Sequence, residues 1–259
     1  STTEMTLALA ESLVAHPEFE GDDFARRLLA HWTASRGYGQ GTTLALHRLK
    51  AGVAWQEAGA GQSGRGCYGN AAAARSAAVG LLHRDDVPTL RWVAEEAAGV
   101  THTHAHGVEG AALFALAVAV ALDARGGELA PQGFLETIAG ETQMREYLSH
   151  LELAASMLGR GAKPVVVADR LGNNQTALGS VVTALFCFAD HAASFEDAAL
   201  AALRLGGNAV AIASMTLALS GAHLGITAIP QRWREGLEKG PITPSIMLRT
   251  ARALAAVRR

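Results

Sequence analysis

Apolar residues recur every three or four positions along most of this chain, the period of a helix with one buried face. Met5, Leu7, Leu9, Leu13 and Val14 form the first such run, which stops at His16-Pro17. Glu20-Gly21-Asp22-Asp23 reads as the cap of a second helix, whose stripe of Phe24, Leu28, Leu29 and Trp32 ends at Arg36-Gly37. Gly37 to Thr42 predicts a turn, with Thr42 or Thr43 capping a helix from Leu44 to Ala51, and Trp55 to Gly61 predicts a short helix. Ala71 to Leu82 is a helix of small residues, followed by helices over Pro88 to Val100 and Val108 to Asp123. Arg125-Gly126-Gly127 marks a break. Phe134 to Met157 fits one or two helices, Pro164 to Val167 a brief extended segment, and Thr176 to Ala189, Ser194 to Leu205 and Pro241 to Val257 further helices. Asn208 to Ala222 carries almost no charge, so it predicts a central helix enclosed by others, opening from Gly206-Gly207 and stopping at Gly225. No stretch alternates with period two for long enough to build a sheet, and no fixed-period repeat is visible. The pattern predicts an all-α fold.

Composition narrows the picture. The 259 residues are 49% hydrophobic and 18% charged, enough for one large domain, and no linker marks a second. A net charge of -2 gives no electrostatic reason to expect nucleic acid or an anionic membrane as partner. Cys67 and Cys187 lie far apart and make no metal spacing, so a reducing cytoplasm is the default location. The most apolar run, Val108 to Leu122, is too short for a bilayer and carries Glu109, and no signal peptide is visible. The chain starts at Ser1 already inside a helical pattern, which predicts a helix upstream of the sequence in hand.

The candidate chemistry is concentrated in Ser63 to Asn70. The glycines of Gly64-Arg65-Gly66-Cys67-Tyr68-Gly69-Asn70 permit positive φ and expose backbone N–H groups, a geometry that cradles phosphate, and a helix follows at Ala71. Arg65 and Arg75 are candidate charge partners, and Tyr68 a candidate stacking group for a base or ribose. The alternative reading of the same stretch is a surface turn between packed helices. His102 and His106 would share a helix face and could ligate a metal, but no Asp or Cys completes the set, so a pocket-lining imidazole is the better reading. Cys67 precedes a helix, a setting that can activate a thiol, yet no nearby base is identified. Asn173-Asn174-Gln175 reads as a helix cap, with ligand binding as the alternative.

Several of these stretches, in this order, resemble the ADP-ribosylglycohydrolase family, and the branch that releases ADP-ribose from serine and degrades poly(ADP-ribose) most of all. The resemblance runs through Arg36-Gly37-Tyr38-Gly39-Gln40-Gly41-Thr42, Gly64 to Asn70 with Arg75, Thr101-His102 ahead of Gly110-Ala111, Leu171-Gly172-Asn173 with Ser180-Val181, and Leu205-Gly206-Gly207 through Ile229-Pro230-Gln231-Arg232-Trp233. It implies a compact single all-α domain over residues 1–259 with a cleft for ADP-ribose. It also implies that Gly66, Cys67, Tyr68, Gly69 and Asn70 wrap the diphosphate and distal ribose, with Cys67 where the family has serine, and that His102 is the pocket histidine.

The family holds two magnesium ions with a Thr-Asp-Asp-Thr segment and a Gly-Gly-Asp-x-Asp-Thr segment. Ser1-Thr2-Thr3-Glu4-Met5 and Gly207-Asn208-Ala209-Val210-Ala211 stand at those places here. Magnesium requires hard oxygen donors in octahedral array, so no metal site and no cofactor are expected. The family's water-activating carboxylate lies upstream of Ser1, and no catalytic residue is assigned. Two functions follow: metal-independent hydrolysis of a ribosyl glycosidic bond in an ADP-ribose-like or NAD-derived small molecule, or a pseudoenzyme that binds ADP-ribose or a related nucleotide without turnover. A ligand-free scaffold is disfavoured by the retained glycine loop.

Overall fold

Caps and breakers set most helix boundaries. In the computed structural model, which describes residues 1–61, 64–238 and 240–257, the helices are α1 (Thr2–Ala15), α2 (Gly21–His31), α3 (Gln40–Lys50), α4 (Trp55–Ala58), α5 (Ala71–Arg75), α6 (Ala77–Leu82), α7 (Val87–Gly99), α8 (Ala105–Asp123), α9 (Pro131–Gly140), α10 (Arg145–Met157), α11 (Pro164–Leu171), α12 (Ala177–Asp190), α13 (Phe195–Leu203), α14 (Ala209–Leu224), α15 (Gln231–Glu235) and α16 (Pro244–Val257). No strand is present among the described residues, as the periodicity predicts. Glu20 caps α2 by accepting from the backbone N–H groups of Asp22 and Asp23, Thr176 caps α12 through Gly179 N–H, and Ser194 caps α13 through Asp197 N–H. Each such cap contributes about 1 kcal/mol.

Four boundaries depart from expectation, each for a local reason. α2 ends at His31, and Ala34–Arg36 forms a separate 3-10 turn closed by Gly37 at φ +67°. α3 begins at Gln40 behind Gly39, so Thr42 is a buried helical residue and neither Thr42 nor Thr43 is the cap. The small-residue helix breaks at Ser76, whose hydroxyl lies 3.0 Å from Ala73 O and 2.8 Å from Ala111 O, turning the chain between α5 and α6. Pro164 to Val167 is helical, because Pro164 occupies the first turn, where its missing N–H costs nothing.

The chain divides into two compact units, one built from Ser1–Ala115 with Leu237–Arg259 and the other from Leu116–Gly236, with the division inside α8. In the first, α1 packs against α2, α5, α6 and α16 and buries Met5, Leu7, Leu9 and Leu13. Phe19, at φ +66°, drives its ring between Phe24 and Trp55, at centroid distances of 6.0 Å to each. Gly21 makes this possible: a Cβ there would lie 2.1 Å from the Trp55 indole. Ala72, Ala98 and Ala111 form a small buried cluster with Val108 packed against it, where α5, α7 and the first half of α8 meet.

In the second unit, α12 and α14 pack on each other and on α13, with Phe188 edge-on to Phe134 at 5.2 Å. α14 is less enclosed than its lack of charge predicts. Ile212, Met215, Thr216 and Leu219 are buried, but Val210 is 77% exposed, so neutrality marks one packed face and not a surrounded helix. α8 is long and apolar enough to cross a membrane by length and composition, because it starts at Ala105, ahead of the apolar run; 67% of its most apolar 18-residue stretch is buried within the protein.

Candidate functional site

The glycine loop is held by places where its neighbours have no side chain. Gly66 sits at φ +70°, and a Cβ on it would fall 2.2 Å from Thr103 Oγ1 and 2.5 Å from His104 N. A Cβ on Gly107 would lie 2.8 Å from Cys67 O, and one on Gly41 would lie 2.3 Å from Cys67 Sγ. Three backbone segments, 37–41, 64–70 and 101–107, therefore meet around Cys67 at distances that only glycine allows. Gly66 N–H donates to Ala60 O at 3.1 Å and Thr103 Oγ1 donates to Gly59 O at 3.3 Å, tying both strands of the loop to the end of α4. Ser63, where the sequence reading begins this loop, lies outside the described residues.

The backbone N–H groups are less exposed than expected. Gly69 N–H donates to Cys67 Sγ at 3.4 Å, a weak acceptor that holds the N–H in place without binding it tightly. Asn70 is 7% exposed, and its Nδ2 has no hydrogen-bond partner among the described residues. A buried amide of this kind carries a desolvation cost that a bound acceptor would relieve. Tyr68 is 55% exposed and stands edge-on to His104 at 5.6 Å, which in turn stands edge-on to His106 at 5.1 Å. His106 N–H donates to His104 Nδ1 at 3.1 Å. The second and third histidines of the run thus brace the aromatic flank of the loop, and only His106 lies on a helix.

His102 is 1% exposed, with Nδ1 2.6 Å from Thr101 Oγ1. Burial, reinforced by the positive charge of Arg75, lowers its pKa to about 3, so the imidazole is neutral at physiological pH. Arg75 is not available to a phosphate at the surface. It is fully buried, and desolvation lowers its pKa to about 9. Gly66, Cys67, Tyr68, Gly69, Asn70 and His102 are therefore brought together in the first unit, whereas Arg75 lies behind them. Asn173 and Asn174 do not cap α12, whose cap is Thr176: Asn173 Nδ2 donates to Leu205 O at 2.8 Å, and Asn174 Oδ1 accepts from Thr176 N at 2.9 Å.

Sequence reasoning named Thr101, Tyr38 and Glu4 only within the stretches of the resemblance, with no role for any of them, and gave none to Gly107. Tyr38 Oη donates to the buried Glu4 carboxylate at 2.6 Å, and Arg36 Nε lies 3.9 Å from the same group. Gly107, directly after the histidine run, was a readable signal of close backbone approach; nothing in the sequence alone joins positions 4 and 38.

At the positions that the resemblance aligns with magnesium ligands, this chain carries no carboxylate. Ser1, Thr2 and Thr3 offer neutral hydroxyls, and Asn208 offers a neutral amide followed by the hydrocarbon side chains of Ala209, Val210 and Ala211. A small dication that dehydrates reluctantly is normally held by one or two carboxylates, which neither segment supplies at those positions. Glu4, the nearest carboxylate in sequence, is already occupied by Tyr38.

Comparison with known proteins bears on the whole chain. A family model described as ADP-ribosylglycohydrolase matches residues 1–259. ADP-ribosylhydrolase ARH3 of Mus musculus is 31% identical over 270 residues, covering 91% of this chain and 72% of that protein. The Homo sapiens ARH3 is 30% identical, with 91% and 73% covered. An uncharacterized protein of Archaeoglobus fulgidus is 32% identical over 241 residues, covering 91% of this chain and 74% of its own length. Among solved structures, a chain titled "ADP-ribosylglycohydrolase-related protein complex" superposes with a TM-score of 0.76 at 27% identity, covering 100% of this chain and 81% of that one. The helical fold, the order of the loop motifs and these matches together make the chain a member of the ADP-ribosylglycohydrolase family.

Proposed function

We propose that this protein hydrolyses a ribosyl glycosidic bond in an ADP-ribose-like or NAD-derived small molecule, and that it does so without the family's two magnesium ions. The observation that carries the reading is the pinned loop: Gly66, Gly69 and Asn70 form a preset cradle whose buried amide lacks an acceptor and whose Gly69 N–H rests on a thiol. A diphosphate oxygen is a far stronger acceptor than a thiol and would take over that N–H at little cost. Tyr68 and His104 offer a wall of aromatic edges beside it for a ribose or base. A ribosyl bond can break through an oxocarbenium-like state with one carboxylate and protonation of the leaving group, so a metal is not a chemical necessity. His102 is not the proton donor, because its neutral form persists to low pH.

A second reading, ligand binding without turnover, draws support from the neutral character of Ser1 to Thr3 and Asn208 to Ala211. One experiment separates the two. Chelator-treated protein is incubated with NAD, ADP-ribose and ADP-ribosylated peptides while product release and thermal stability are followed, with and without added magnesium. Turnover that survives the chelator supports hydrolysis without metal; a melting shift without product supports the binder. Turnover that appears only with magnesium ends the metal-independent reading, and the absence of both shift and product ends both.

A further inference from the structure

Arg75 closes the short helix α5 with no accessible surface, and no carboxylate pairs with it among the described residues. Its guanidinium lies 5.3 Å from the Phe24 ring centroid, Nη2 donates to Ala97 O at 2.6 Å, Nη1 donates to Thr101 Oγ1 at 2.8 Å, and Nε has no partner among the described residues. Burying a cation without a counter-ion is unfavourable. A group held at that cost in the wall behind a ligand loop calls for a role, and the bonds it makes point to one.

Thr101 Oγ1 accepts from Arg75, since a guanidinium can only donate, and it also lies 2.6 Å from His102 Nδ1. Were Nδ1 protonated, Oγ1 would accept twice and its own proton would need another acceptor. Thr101 is fully buried, and Oγ1 makes no hydrogen bond to any other acceptor among the described residues. The threonine proton therefore goes to Nδ1, and the imidazole carries its hydrogen on Nε2.

We infer that Arg75, acting through Thr101, is a positioning residue that fixes His102 as the Nε2–H tautomer, a permanent hydrogen-bond donor to an acceptor oxygen of the ligand. The guanidinium two bonds away also opposes a second positive charge, in line with the lowered pKa of the histidine. His102 stands against the loop: a Cβ on Gly107 would touch Cys67 O at 2.8 Å and His102 Cβ at 3.4 Å. The consequence for ligand recognition rests on the reading that this loop holds ADP-ribose; the tautomer itself does not.

The test is the pair of imidazole 15N shifts of His102 in the full chain, read in two-bond proton–nitrogen spectra between pH 5 and 8, together with ADP-ribose affinity. The wild type should show a protonated Nε2 and a bare Nδ1 throughout. Thr101→Val, close to isosteric, should populate Nδ1–H and weaken ADP-ribose about tenfold, the loss of one hydrogen bond, and Thr101→Ser should restore both. An Nδ1–H tautomer in the wild type, or shifts unchanged in Thr101→Val, overturns the assignment, and the first of these needs no variant to fold. Wild-type protein with the expected tautomer and no affinity for ADP-ribose supports the tautomer assignment while ending the pocket reading.

Discussion

Gly66 and Thr103 face each other so closely that an added methyl on the glycine would sit 2.2 Å from the threonine hydroxyl. Gly66 also holds φ +70°, a conformation that L side chains rarely adopt. Gly66→Ala should destabilise the chain by about 1–3 kcal/mol from backbone strain alone. It should also abolish ADP-ribose-induced thermal stabilisation, whereas Gly64→Ala, with nothing within 4 Å of its added Cβ, should retain most of it. Thermal melts with and without ADP-ribose check this; equal ligand responses would show that the close approach does not shape the site.

Tyr38 and Glu4 form the second relationship that can be measured. Burial, followed by the hydrogen bond to Glu4, raises the tyrosine pKa well above its ordinary 10.0. The folded state therefore holds this proton more tightly than the unfolded chain does. Stability from it is complete below pH 10 and is lost as the pH rises above 10 toward the raised folded-state value. Tyr38→Phe should lower stability at neutral pH by about 1–3 kcal/mol, leaving a buried carboxylate without its donor, and should flatten the alkaline limb of the stability curve. Denaturant melts at pH 7 and at pH 10.5 would reveal either effect.

His102 produces the opposite pH signature. Its folded pKa of about 3 lies below the ordinary 6.5, so the unfolded chain binds the proton first. Its contribution is intact above pH 6.5 and is lost as the pH falls from 6.5 toward 3. His102→Gln should reduce the acid sensitivity of unfolding across that window while removing the Nε2–H donor of the pocket. Urea midpoints between pH 4 and 7 for both proteins would test it; parallel acid limbs would show that His102 is not buried in neutral form.

The two cysteines should separate cleanly. Burial pushes the Cys187 thiol up to about 12, and the side chain is enclosed in α12, so it should resist thiol reagents until the protein unfolds. Cys67 is only partly buried and holds Gly69 N–H through its sulfur. A bulky maleimide should label one thiol per folded chain and cut ADP-ribose affinity at least tenfold, because the adduct would crowd the Gly69 N–H that the sulfur holds. Labelling stoichiometry and the modified residue are read by mass spectrometry. Cys67→Ser, which offers a better acceptor, should keep the ligand response.

Most of the helical fold was legible because helix periods and caps are local. Glu20 and Ser194 each mark a helix start in sequence and each accepts the bond expected of it, whereas α12 is capped by Thr176 and not by the Asn173-Asn174-Gln175 run that reads as its cap. The break at Ser76 was not legible, because its cause is the carbonyl of Ala111, which lies 35 positions away in sequence. Pro164 to Val167 misled because a β-branched run looks extended until Pro164 is recognised as a first-turn residue. In the site, the loop itself could be read from its glycines. The burial of Arg75 could not, since charge alone suggested a surface contact and only packing against Phe24 and Ala97 reveals its place. The same holds for α14, where an uncharged sequence concealed an exposed Val210.

The meeting of segments 37–41, 64–70 and 101–107 is secured by what Gly41, Gly66 and Gly107 lack. A cradle shaped by missing atoms is indifferent to most side-chain turnover elsewhere in the chain. Such a hollow can be inherited intact while the chemistry around it is rewritten, and selection can then hand it a new molecule to hold.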